Sequence, residues 1–131
     1  GGDLGLVVQG GDLVIAEGAT VSSAGGTVTL VVEDGSLLAG AGSLIVSEGG
    51  TLVLQAAGDI AGVHAEVASA QVGAGGDVAL RDSTDLALQV SAGGSATVDV
   101  GGTLTVDGTS EAGGTLLLRA GEAIAIVADV Q

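Results

Sequence analysis

Apolar residues along this chain alternate with polar or small ones over short runs, and each run follows a glycine pair and one small polar or acidic residue. Gly1-Gly2-Asp3-Leu4-Gly5-Leu6, Gly10-Gly11-Asp12-Leu13-Val14-Ile15 and Gly25-Gly26-Thr27-Val28-Thr29-Leu30 open the series. Gly49-Gly50-Thr51-Leu52-Val53-Leu54, Gly75-Gly76-Asp77-Val78-Ala79-Leu80, Gly101-Gly102-Thr103-Leu104-Thr105-Val106 and Gly113-Gly114-Thr115-Leu116-Leu117-Leu118 continue it. Weaker copies begin at Gly35, Gly42, Gly58, Gly93 and Gly121. An apolar period of two, broken by turn residues every 7 to 9 positions or so, predicts short strands joined by tight corners and excludes helix almost everywhere. At the corners, glycine supplies positive φ and close backbone approach, and the Asp, Thr or Ser that follows can bond to neighbouring turn amides.

Antiparallel hairpins use similar turns, but near-identity of the units favours a stacked repeat. The expected fold is all-β: a right-handed parallel β-helix, or β-solenoid, with three strands per coil. At about 20–24 residues per coil, residues 1–131 form a single domain of roughly six coils, a rod ~29 Å long. Inward positions run from Leu4, Leu6, Leu13 and Ile15 through Val28, Leu30, Leu37, Leu44, Val46, Leu52, Leu54 and Ile60 to Val78, Leu80, Leu86, Leu88, Val98, Leu104, Val106, Leu116, Leu118, Ile124 and Ile126. Each such side chain contributes about 1.5–3 kcal/mol when buried, so unbroken ladders offset the entropy of ordering a narrow rod.

Val14, Val31, Ile45, Val53 and Leu117 fall on the opposite parity, each between two inward neighbours. If they point outward they form a candidate self-association face. The alternative is a local register shift that turns some of them inward.

Composition narrows the class. The chain of 131 residues has no Phe, Tyr, Trp, Pro, Cys or Met, has 26 Gly, and is 47% hydrophobic, so its core is built from Val, Leu, Ile and Ala. A globular sandwich or bundle normally fills its centre with larger rings. Sixteen acidic residues against two basic ones give a net charge of −14, which repels nucleic acid and anionic lipid. The longest uncharged run, Gly18 to Val32, is too short and too polar to insert into a membrane as a helix. The lack of cysteine means the fold relies on hydrogen bonding, which is compatible with secretion. No basic leader precedes the first repeat, and the chain begins and ends in repeat-like sequence, Ala123-Ile124-Ala125-Ile126-Val127 at its close. It is therefore expected to continue into a longer rod or into another copy stacked head to tail.

The recurring Gly-Gly-[Asp/Thr]-[Leu/Val]-x-[Leu/Val/Ile] unit resembles the passenger repeats of filamentous-haemagglutinin-type bacterial adhesins, which leave the cell by two-partner or autotransporter routes. The resemblance covers nearly the whole chain and is weakest from Val63 to Val72. It implies a parallel β-helix and an adhesive role at the cell surface or in the secreted state. The chain departs from such repeats in having no Asn to stack at its turns.

Catalytic and metal chemistry finds little footing. Glu33-Asp34 and the Asp82/Asp85 pair are the nearest approach to a calcium site, but calcium needs six to eight converging oxygens and the nonapeptide of calcium-loaded β-rolls does not occur, so these read as solvated turn carboxylates. His64 and Glu66 could share one side of a strand, but no second His or Cys supports catalysis or metal binding. Arg81 and Arg119 alone do not make a sugar-cleaving groove. The pairs Thr27/Thr29 and Thr103/Thr105 resemble the Thr rows of ice-binding solenoids but do not form an array, and β-branched residues suit strands in any case. No catalytic, cofactor or metal residue is assigned and no cofactor is expected. The leading expectation is an extracellular structural or adhesive rod whose main partner is itself. The alternatives are a module binding a host surface glycan or protein, including the ice-binding type, and a β-helical polysaccharide lyase.

Overall fold

A computed structural model of the chain describes residues 3–107 and 110–126. Gly1 and Gly2 of the first repeat and Val127 of the last lie outside the described residues. Alternating apolar residues have no helical face to bury, and the described residues contain no helix, only fourteen strands. The first coil holds β1 (Leu4–Val8), β2 (Leu13–Ile15) and β3 (Thr20–Ser22), and the second holds β4 (Thr27–Val32), β5 (Leu37–Ala39) and the start of β6 (Leu44–Ala56). The third runs from the rest of β6 into β7 (Ile60–Ala74), and the fourth from the end of β7 through β8 (Val78–Asp82) into β9 (Leu86–Ala92). The fifth takes the rest of β9, then β10 (Ala96–Val100) and β11 (Leu104–Val106), and the sixth β12 (Glu111–Ala112), β13 (Leu116–Ala120) and β14 (Ile124–Ile126).

Every pairing is parallel, between a strand and its counterpart one coil on, so the chain is a β-solenoid of about six coils. The strands stack into three faces. Face A carries β1, β4, the ends of β6 and β7, β9 and β12. Face B carries β2, β5, the start of β7, β8, β10 and β13. Face C carries β3, the start of β6 and the middle of β7, while β11 and β14 stack on the start of β9, itself paired with Ser69 and Ala70 of face A.

The core is a set of aliphatic ladders. Leu30, Leu54, Leu88 and Leu104 are wholly buried, as are Val28, Leu37 and Leu52. Leu6, Ile124 and Ile126, in the outermost described coils, are covered less. Face C departs from the expected parity: Ile45 is 1% exposed while Leu44 and Val46 are half-buried. Ile45 sits in register between Val21 and Ala65. Next to Ala65 on the same strand stand His64 and Glu66, whose charge and polarity must face water. That requirement sets the parity of the whole column and sends Leu44 and Val46 outward. The flanking inward serines are satisfied, Ser43 Oγ donating to the Gly40 carbonyl at 2.6 Å and Ser47 Oγ to that of Gly26 at 2.6 Å.

Coil length changes along the rod. Partners lie 24 residues apart in the first coils, 18 apart in the middle and 20 apart at the last rung. The contraction takes place in the third coil: the corner before face B loses one residue (Leu37 pairs with Ile60), the next loses three (Ile45 with Ala65) and the last loses two (Thr51 with Ser69). This is the Val63–Val72 stretch where the repeat is weakest.

The corners explain the glycine pairs. Before face B a ladder climbs the rod: the backbone N–H of Ser36 donates to Asp12 Oδ1 (2.8 Å), Asp59 to Ser36 Oγ (3.0 Å), Asp77 to Asp59 Oδ1 (2.8 Å), Ser95 to Asp77 Oδ1 (2.8 Å) and Thr115 to Ser95 Oγ (3.1 Å). Thr27 on Asp3 repeats the motif before β1 and β4, and Thr103 on Asp85 before β9 and β11. The polar residue after each glycine pair therefore bonds across coils. A methyl group at Gly76 or Gly94 would collide with the Asp59 or Asp77 carboxylate of the coil before. Among the described residues positive φ is confined to glycines between Gly11 and Gly62, so most glycines of the narrow coils answer to close approach alone.

Candidate functional site

Alternation along each strand gives every face an outward row, and the candidate residues distribute over these rows unevenly. Val14 is 64% and Leu117 44% exposed on face B, in one column that also holds Leu38, Ala61, Ala79 and Thr97. Val31 and Val53 stand half-buried on face A, in adjacent columns. Ile45, expected on the same surface, is a core residue, for the parity reason given above. The five residues do not share one surface; the face B column is the longest apolar row among them, interrupted at Thr97.

The next outward column of that region carries charge. His64 pairs in register with Arg81, Arg81 with Asp99 and Asp99 with Arg119, so both arginines of the chain flank one aspartate. His64 and Glu66 lie on the same outward side of β7, as the spacing requires, but the histidine's neighbour in the next coil is Arg81.

Asp82 is not a solvated turn carboxylate: it is 2% exposed. At the contraction, the backbone bends away from regular pairing and its amides need other acceptors. The Asp82 carboxylate supplies them, accepting from Val67 N–H (3.2 Å), Thr84 N–H (2.8 Å) and Thr84 Oγ1 (2.7 Å). Burial pushes its pKa up, the Thr84 and Val67 bonds pull it down, and the charge of Glu66 adds to the upward push; the net direction is up. Asp85 is exposed and accepts the Thr103 N–H at 2.9 Å. The two carboxylates thus serve different partners. Glu33 and Asp34 are exposed at their corner. No cluster of three or more metal-ligating side chains occurs among the described residues.

The threonine pairs do not form an unbroken array: Thr27 pairs with Thr51 and Thr51 with Ser69, whose hydroxyls meet at 2.9 Å, but Ala87 separates them from Thr105, and Thr29 stands between Gly5 and Val53.

Sequence reasoning passed over the outward side of face A. Three coils there, residues 51–57, 69–75 and 87–93, contain no ionisable side chain, and they present Gln55, Gln71, Gln89 and Ser91 to solvent. The signal was available, since Gln71 and Gln89 are one narrow coil apart and Gly73 interrupts a strand with no glycine partner beside it. It becomes legible only when the coil length is known.

No protein-family model, curated protein or solved structure matches the chain.

Proposed function

We propose that the chain is a stiff structural segment of an extracellular adhesive rod, akin to the shafts of filamentous-haemagglutinin-type adhesins. The observation that carries this reading is the corner ladder: Asp12, Ser36, Asp59, Asp77, Ser95 and Thr115 tie each coil to the next by bonds between side-chain oxygens and backbone amides. Bonds of this kind, added to parallel pairing from coil to coil, resist bending and stretching along the axis. The Gly-Gly-[Asp/Thr] corners that build the ladder are also what the chain shares with those repeats. High negative charge, which keeps an aliphatic rod dispersed, and the absence of cysteine suit the outside of a cell.

Its main partner in this reading is another copy, packed laterally along the face B column, where Val14, Leu38 and Leu117 expose aliphatic surface at both ends and Ala61, Ala79 and Thr97 lie between. Electron microscopy and small-angle X-ray scattering over a concentration series test the proposal. Rod-shaped particles that associate side by side as concentration rises are expected. Compact particles that stay isolated at high concentration would reject the filament-forming role.

A further inference from the structure

Most glycines in this rod take a positive φ or stand too close to the neighbouring coil for a Cβ; Gly5 and Gly10 in the first coil do neither, and nor does Gly73, which has a coil on either side. Its φ is not positive, and a Cβ built on it meets nothing within 4 Å. Glycine inside a strand weakens it by about 0.5–1 kcal/mol, and where the backbone does not demand it, it marks a place where something approaches closely. Gly73 lies in β7 on face A, in register between Gln55 and Ser91, beside the directly paired Gln71 and Gln89. The missing side chain leaves the floor of a shallow trough bounded by Gln55, Gln71, Gln89 and Ser91 and extending past Val31 and Ala57. From Gln55 to Ser91 the trough spans two coil steps along the axis, ~10 Å.

The lining has one chemistry. Each glutamine amide carries both donors and an acceptor, and the serine hydroxyl does the same on a smaller scale. A ligand that matches must present closely spaced groups that both donate and accept, as sugar hydroxyls do. Net charge of −14 on the whole chain disfavours an anionic ligand, and the glutamine-lined middle of the trough is uncharged, with Glu33 at one end and Glu111, to which Ser91 Oγ donates at 3.5 Å, at the other. We infer that this trough binds a neutral oligosaccharide lying along the rod axis, its hydroxyls bonded to Gln55, Gln71, Gln89 and Ser91 and one ring edge seated over Gly73. The inference rests on the adhesive reading and names the class of surface to which the rod would adhere.

The test is a glycan array probed with the full chain, followed by calorimetric titration of the best neutral glycan against Gly73→Val and the double variant Gln71→Ala/Gln89→Ala. Valine suits the strand, so Gly73→Val should melt at or above the wild-type temperature yet lose glycan affinity by tenfold or more, roughly the loss of one well-made contact. The double variant, which changes only exposed side chains, should lose at least as much. Should Gly73→Val fail to fold, the double variant decides alone. Retention of acidic glycans only, no retention of any glycan at millimolar concentration, or unchanged affinity in the variants would overturn the site. So would a Gly73→Val variant that loses self-association and not glycan, which would mean that a second copy occupies the trough. Microscopy on the same samples separates the two readings: intact associating rods without glycan binding remove the trough alone, and glycan-binding particles that never associate remove the filament alone.

Discussion

Single residues in this chain are judged by what the neighbouring coil places against them. Gly76 and Gly73 are three positions apart and respond oppositely to the same change. At Gly76 an added methyl displaces the Asp59 carboxylate and the bond it accepts from Asp77 N–H. Gly76→Ala should therefore destabilise by about 1–3 kcal/mol, whereas Gly73→Ala, with open space around it, should be neutral or stabilising by up to about 1 kcal/mol. Urea melts of the two variants check the contrast. Asp82 makes a second residue-scale prediction. Burial raises its folded-state pKa above the ordinary 3.8, so the folded chain takes up a proton more readily than the unfolded one. The stability linked to this group is fully present below the unfolded value and is lost as pH rises through the raised folded value. Asp82→Asn should flatten the change in melting temperature across that window, measured in added salt so that the other carboxylates are screened. An unchanged slope would refute the assignment.

Elements here are defined less by their own sequences than by the rungs that align them. The first strands on face B are short, β2 and β5 spanning three residues each, and strands of that length have little preference for one register. The corner ladder supplies it, because a one-residue slip would break every rung. Asp77 is one such rung, accepting the Ser95 N–H. Asp77→Ala should lower stability by about 0.5–1.5 kcal/mol, while Asp77→Ser should recover most of the loss, since the chain already uses Ser36 and Ser95 as rungs. Equal denaturation midpoints for the two variants would show that the rung is idle. The corner chemistry was legible from the repeat, because Asp, Ser and Thr after paired glycines have few other uses. That the bonds run between coils, and that the first such ladder precedes face B, was not, since a turn residue reads the same whether it bonds within its own turn or to the next.

At the scale of the whole molecule, charge and apolar surface oppose one another. Sixteen carboxylates on a narrow rod repel neighbouring copies, and the face B stripe attracts them. Lowering the pH from 7 towards 4, or raising salt beyond ~0.15 M, where the Debye length is about 8 Å, removes the repulsion first. Light scattering should rise under both conditions in the wild type. It should stay low in Leu38→Glu under salt at neutral pH, where the new carboxylate interrupts the stripe. Scattering that ignores pH and salt would argue against this balance.

Periodicity by itself determined that the chain is a stack of short parallel strands with an aliphatic core and glycine-acid corners, because a period of two and a repeat unit are properties of the sequence alone. Positions such as Leu30, Leu52 and Leu88 declared themselves inward on that ground. Only the tertiary structure decided the change from 24-residue to 18-residue coils, the burial of Asp82, the inward turn of Ile45 and the meeting of three glutamines around Gly73. Each depends on which residue lies one coil away. That distance is set by how many residues the corners omit, a sum over the whole coil that no local pattern records.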